Sequence, residues 1–165
     1  MKKFILALLT LFVVTAAQAD PRTVTVAHTV TAGAYTTGKL VGGLITIPGA
    51  IKEGESSTIL QSVVIADEAK QAGSYDMYFF TSATGGTYTD TGTGDVSDAD
   101  LFLGICPISI STVFSSNDNG FVSRDNIGCP IQVASGTTIY ALLVAQSSQT
   151  YAAITDIQFR FGFVD

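Results

Sequence analysis

The chain has no tryptophan, one histidine and two cysteines. Each shortage removes a class of chemistry. A Ser-His-Asp hydrolase would have to use His28, yet no serine stands in a G-x-S-x-G elbow and nothing marks an orienting partner. His28 reads instead as a polar residue of a strand. Cys106 and Cys129 are 23 residues apart, and with one histidine they do not match a zinc finger or ribbon. No resident metal or cofactor is expected from this set. Without tryptophan, sugar stacking would fall to exposed tyrosines, for which Tyr35, Tyr88 and Tyr151 are the candidates.

Charge is scarce as well. Only 13% of residues are charged, with 8 basic against 14 acidic side chains. The basic residues after Lys3, namely Arg22, Lys39, Lys52, Lys70, Arg124 and Arg160, are scattered and form no local patch. A phosphate backbone is bound by clustered Lys and Arg, so nucleic acid is not an expected partner, and neither is an anionic membrane.

The N-terminus supplies what the rest lacks, a long apolar run. "MKKFILALLTLFVVTAAQAD" opens on Lys2 and Lys3, continues through Phe4 to Val14, and ends with Ala17-Gln18-Ala19. This is the layout of a secretory signal peptide over residues 1–19, and the run falls short of the about 20 residues of a membrane span. Cleavage after Ala19 would leave residues 20–165 as one domain. Losing Lys2 and Lys3 would take the net charge from −6 to −8. The expected location is the periplasm or the exterior, with no membrane association after cleavage.

Export decides how the cysteines are read. Each is followed by Pro-Ile, in "GICPISI" and "NIGCPIQV". In an oxidising compartment an even pair is expected as a disulfide, and this one would restrict the unfolded chain by roughly 3–4 kcal/mol.

Composition and period point to strands. "RTVTVAHTV" alternates with period two, placing Thr23, Thr25 and Ala27 on one face and Val24, Val26 and His28 on the other. This strand lies next to the cleavage site, and Val24, Val26 and His28 are expected to contact a neighbouring subunit. "KLVGGLITI" carries Gly42-Gly43, a bulge or bend signal. "STILQSVVIAD" puts Ile59, Val63 and Ile65 on one side. "SYDMYFFTS" divides Tyr75, Met77 and Phe79 from Asp76, Tyr78 and Phe80. "DIQFRFGFVD" sends Ile157, Phe159, Phe161 and Phe163 one way and Gln158, Arg160 and Gly162 the other. About eight or nine strands are expected. The fold class is all-β, a single antiparallel β-sandwich that is jelly-roll-like in its strand number. Residues 81–95 read as a long exposed loop or hairpin tip, and "SDADLFL" as a short helical turn.

The densest acidic cluster is Asp90, Asp95, Asp98 and Asp100 in "TDTGTGDVSDAD". Such carboxylates could offer oxygens to Ca²⁺, but no Glu closes an EF-hand loop, and a solvated loop explains the segment equally well. Asp67, Glu68 and Asp76 could pair for glycoside hydrolysis only if the fold brought two of them together.

Three segments, "ILQSVVIADEAKQAGSYDMYFF", "SDADLFLGICPISI" and "NIGCPIQVASGTTIYALLVAQSSQTYAAITDIQFRFGFVD", resemble a family of small all-β proteins encoded among the structural genes of tailed bacteriophages. The resemblance covers roughly residues 42–165 and is most specific at "SDADL" and "ASGTTIY". It implies a non-enzymatic virion component, such as a capsid decoration or head-associated protein, that forms homo-oligomers or binds a capsid or surface protein. The export signal and the cysteines lie outside that pattern. Other readings are a secreted carbohydrate- or ligand-binding sandwich, a subunit of an extracellular filament, and a secreted enzyme.

Overall fold

The computed structural model describes residues 20–71, 73–82, 88–93, 106–115 and 119–165. The expected signal peptide and the "SDADLFL" turn lie outside them. Twelve strands are present among the described residues: β1 (Pro21–His28), β2 (Gly33–Tyr35), β3 (Leu40–Ile47), β4 (Ser57–Asp67), β5 (Tyr75–Phe80), β6 (Ile108–Ile110), β7 (Thr112–Ser115), β8 (Gly120–Arg124), β9 (Cys129–Gln132), β10 (Ile139–Ala145), β11 (Gln149–Tyr151) and β12 (Ile157–Val164). No described helix is long and apolar enough to cross a membrane.

The strands form two main antiparallel sheets. The larger has the order β1-β12-β4-β8-β7, with β9 beside the first half of β4. The smaller has the order β3-β10-β5-β6, and β11 pairs with β2 apart from both. The chain crosses between the sheets from β1 to β3, from β3 to β4 and from β4 to β5, so neighbours in sequence face each other across the core.

Alternation builds that core. Ile157, Phe159, Phe161 and Phe163 are all buried on the inner side of β12, while Gln158 and Arg160 are exposed. Phe159 and Phe161 stack with ring centroids 5.7 Å apart, and Phe161 meets Phe79 of the opposite sheet edge-on at 6.1 Å. Phe79 in turn shares its face of β5 with Tyr75 and Met77, as the period-two pattern requires.

Two irregularities shift the pattern. Gly42 and Gly43 both have positive φ, 77° and 73°, and the register of β3 against β10 slips beside them. Glycine tolerates this conformation without a Cβ clash. In β4 a bulge sits opposite Gly162 and Phe163: Gly162 faces Ser62 and Phe163 faces Leu60, leaving Gln61 as the extra residue. The inward side therefore changes. Leu60 is buried and Ile59 is exposed, which corrects the expectation that Ile59 shares a side with Val63 and Ile65.

A second, smaller cluster lies on the outer side of the smaller sheet. Leu40, Phe80, Leu142 and Val144 are buried there, with Tyr78, Tyr88 and Tyr140 packed against them. Residues 88–93 lie against β3: Thr91 N–H donates to Leu40 O at 3.0 Å, Leu40 N–H to Gly92 O at 2.9 Å, and Thr93 bridges Lys39. This end of the expected exposed loop is thus docked, because it covers apolar side chains that would otherwise face water.

Candidate interaction surface

The two cysteines form the expected disulfide, with Cα atoms 6.3 Å apart. Cys129 opens β9 of the larger sheet, and Cys106 stands two residues before β6 of the smaller. The bridge therefore fastens one sheet to the other.

Val24 and Val26 pack against the core, and His28 is buried. Their side chains point into the sandwich because β1 pairs with β12 along its whole length, His28 opposite Ile157. At these three positions, where a subunit contact is expected, the side chains have an internal partner. His28 Nε2–H donates to Val41 O at 2.9 Å, and its ring lies 5.3 Å from that of Phe159. Burial lowers the imidazole pKa, opposed by the Val41 carbonyl and the Asp90 charge. A Cβ at Gly42 would fall on this ring, so glycine there makes room for the histidine.

Asp90 is likewise committed to structure. Its carboxylate accepts from Thr31 N–H (2.7 Å), Thr31 Oγ1 (2.5 Å), Tyr35 Oη (2.8 Å) and Gly42 N–H (2.7 Å). Burial acts to raise its pKa, but these donors outweigh it and hold the carboxyl below its ordinary value. Burial, with the Asp90 bond second, pushes Tyr35 up to about 12. As a calcium ligand Asp90 would have to surrender these bonds. Asp95, Asp98 and Asp100 lie outside the described residues, and among the described residues no group of three His, Cys, Asp or Glu side chains converges on a metal position.

Tyr35 and Tyr151 are each 1% exposed, so they cannot act as sugar platforms. Tyr88 packs against Phe80, ring centroids 6.5 Å apart. Of the carboxylates considered for glycoside chemistry, Asp76 accepts from Ser109 Oγ at 2.6 Å, and Asp67 is buried, accepting from Ala69 N–H (2.8 Å) and Gln71 N–H (3.0 Å). Burial pushes Asp67 up to about 6 against the pull of these backbone donors. Asp76 thus ties β5 to β6 and Asp67 holds the turn after β4.

Among the described residues, the outer face of the larger sheet is partly accessible. The pairings define one continuous rung, Ala27–Gln158–Ala66–Phe121–Phe114, crossing five strands. The next rung on this side is Thr25–Arg160–Val64–Ser123, in which Ser123 is buried. Phe114 is 60% exposed. Val64, Ala66, Phe121 and Arg160 line a depression with a volume of about 440 Å³, and the carboxylates Glu68 and Asp156 line it too. Among the described residues, Arg160 is the one charged side chain on the outward strand positions of this face, and neither it nor Glu68 has an ion-pair partner. Sequence periodicity gave the outward side of β12. It could not assemble the rung, because its members come from strands up to 131 positions apart, as Ala27 and Gln158 are.

The chain matches no family model, no curated protein and no solved structure.

Proposed function

We propose that the protein is a non-enzymatic structural subunit, exported and displayed on a particle or cell surface, of the virion-decoration type that its sequence resembles. The observation that carries this reading is the use made of its reactive groups. His28, Asp90 and Asp67, the side chains best suited to acid–base work, are each engaged by backbone donors or acceptors that hold loops in place. Such commitments favour a role in architecture over one in turnover.

The strand order supports the finer fold reading. Taking β1, β3, β4, β5, β6, β8, β10 and β12 as eight principal strands, the sheets run first-eighth-third-sixth and second-seventh-fourth-fifth. We infer from this order a jelly roll, two interleaved Greek keys, an architecture common in capsid and lectin domains. Fold alone does not assign the role, and the resemblance to phage structural proteins carries the choice between those classes. The disulfide suits an oxidising location outside the cytoplasm.

The test is to label native material with a gold-conjugated antibody against this chain and to image it by electron microscopy. The reading expects gold on particle or envelope surfaces. Label confined to unassembled material would reject it.

A further inference from the structure

We infer that the outer face of the larger sheet is a self-docking surface, which seats a second copy of this chain face to face about a two-fold axis. The inference concerns the contact surface and does not rest on the virion reading.

Three observations choose a second copy as the occupant. The first is asymmetry between the sheets. The smaller sheet has the β3 part of its outer face covered by residues 88–93 of its own chain, whereas the larger sheet leaves Phe114, Phe121, Val64, Ala66 and Ala27 outward. The second is size. Five strands about 4.8 Å apart, from 4 to 11 residues long, present a face of roughly 24 by 24 Å, or about 580 Å² in projection. That approaches the about 800 Å² per partner of a standard stable interface.

The third is charge placement, which is self-complementary. A closed two-fold interface requires that a group at one position meet its complement at another, twice over. Ala66 lies midway along β4 between Val64, which is paired with Arg160, and Glu68. A two-fold axis lying along the Ala27–Gln158–Ala66–Phe121 rung reverses the strand direction between copies. It sets the Arg160 of each copy over the Glu68 end of the other, one strand spacing aside. Stacked sheets lie about 10 Å apart, within reach of a long Arg–Glu pair. The same axis lays Phe121 against its own copy, and each Arg160 brings a cation to a depression that the carboxylates of Glu68 and Asp156 line.

The experiment is sedimentation velocity of the soluble full chain and of three variants, with far-UV circular dichroism as the check on folding. The chain is expected to dimerise reversibly. Arg160→Glu and Glu68→Arg should each weaken the dimer by at least about tenfold. The double variant Arg160→Glu/Glu68→Arg should regain most of that loss, because the pair is restored with its signs exchanged. Phe114→Ser, at an exposed position, supplies a second variant that should weaken the dimer without unfolding the chain. A wild-type chain that stays monomeric at high concentration overturns the inference. A dimer indifferent to both charge reversals and to Phe114→Ser overturns it equally, since the contact would then lie elsewhere.

Discussion

Tyr75 and Tyr151 meet hydroxyl to hydroxyl at 2.6 Å inside the core, although 76 residues separate them in the chain. The bond ties β5 to β11, and Tyr35 packs edge-on against Tyr151 with ring centroids 5.5 Å apart. Burial raises the pKa of both phenols, so the pair stays neutral and one hydroxyl donates to the other. Removing one hydroxyl strands its partner, which costs about 1–3 kcal/mol, while removing both strands nothing. Tyr151→Phe and Tyr75→Phe should therefore each destabilise the fold, and the double variant should cost less than their sum. Urea denaturation of the four proteins checks this, and simple additivity would show that the two hydroxyls are not coupled.

Asp67 predicts a pH dependence. Its folded pKa, about 6, lies above the ordinary 3.8, so the folded state holds its proton more tightly than the unfolded one. Stability from this group is fully present below about pH 4 and is lost as pH rises to about 6, by at most about 3 kcal/mol. His28 acts in the opposite sense. Its lowered pKa removes stability as pH falls below the ordinary 6.5. The two are separated by a difference profile. Between pH 4 and 6, Asp67→Asn should gain stability relative to the wild type as pH rises, and a flat difference would assign the carboxylate no such role.

Phe159 and Arg160 are neighbours on β12 with opposite fates. Phe159 is fully buried and Arg160 exposed. Phe159→Ala should cost about 3–5 kcal/mol as a large-to-small core change. Arg160→Ala, measured on the monomer at low concentration, should stay within about 0.5 kcal/mol. Comparable losses at both sites would mean that the inward face has been misassigned.

The Cys106–Cys129 bridge should contribute roughly 3–4 kcal/mol through the unfolded chain. The expected readouts are a non-reducing peptide pair two hydrogens lighter than the free thiols and a lower Tm for Cys106→Ser/Cys129→Ser. Two alkylatable thiols in native material would contradict it.

How far the sequence could be read depended on distance along the chain. The faces of β12 and β5 follow from alternation within six to eight residues, and both were legible. So was the irregularity at Gly42-Gly43, since paired glycines in an apolar run announce it. The Ile59/Leu60 exchange was not, because the bulge that causes it is defined by a register against β12 a hundred residues later. The burial of Tyr35 and Tyr151 was hidden for the same reason: a tyrosine looks amphipathic until its hydroxyl partner is known. Asp90 reads as one of four loop carboxylates, and only the fold brings Thr31, Tyr35 and Gly42, at separations of 59, 55 and 48 residues, onto its oxygens. The docking face was half legible, its outward side visible in β12 and its five-strand rung invisible.

The central claim is that this chain is a surface structural subunit. The most direct measurement is quantitative mass spectrometry of the chain across a density gradient of native material. The account predicts that the chain bands with particles or envelope, at a fixed ratio to their main surface protein. A chain that remains at the top of the gradient, with no fixed ratio to any particle, would contradict it.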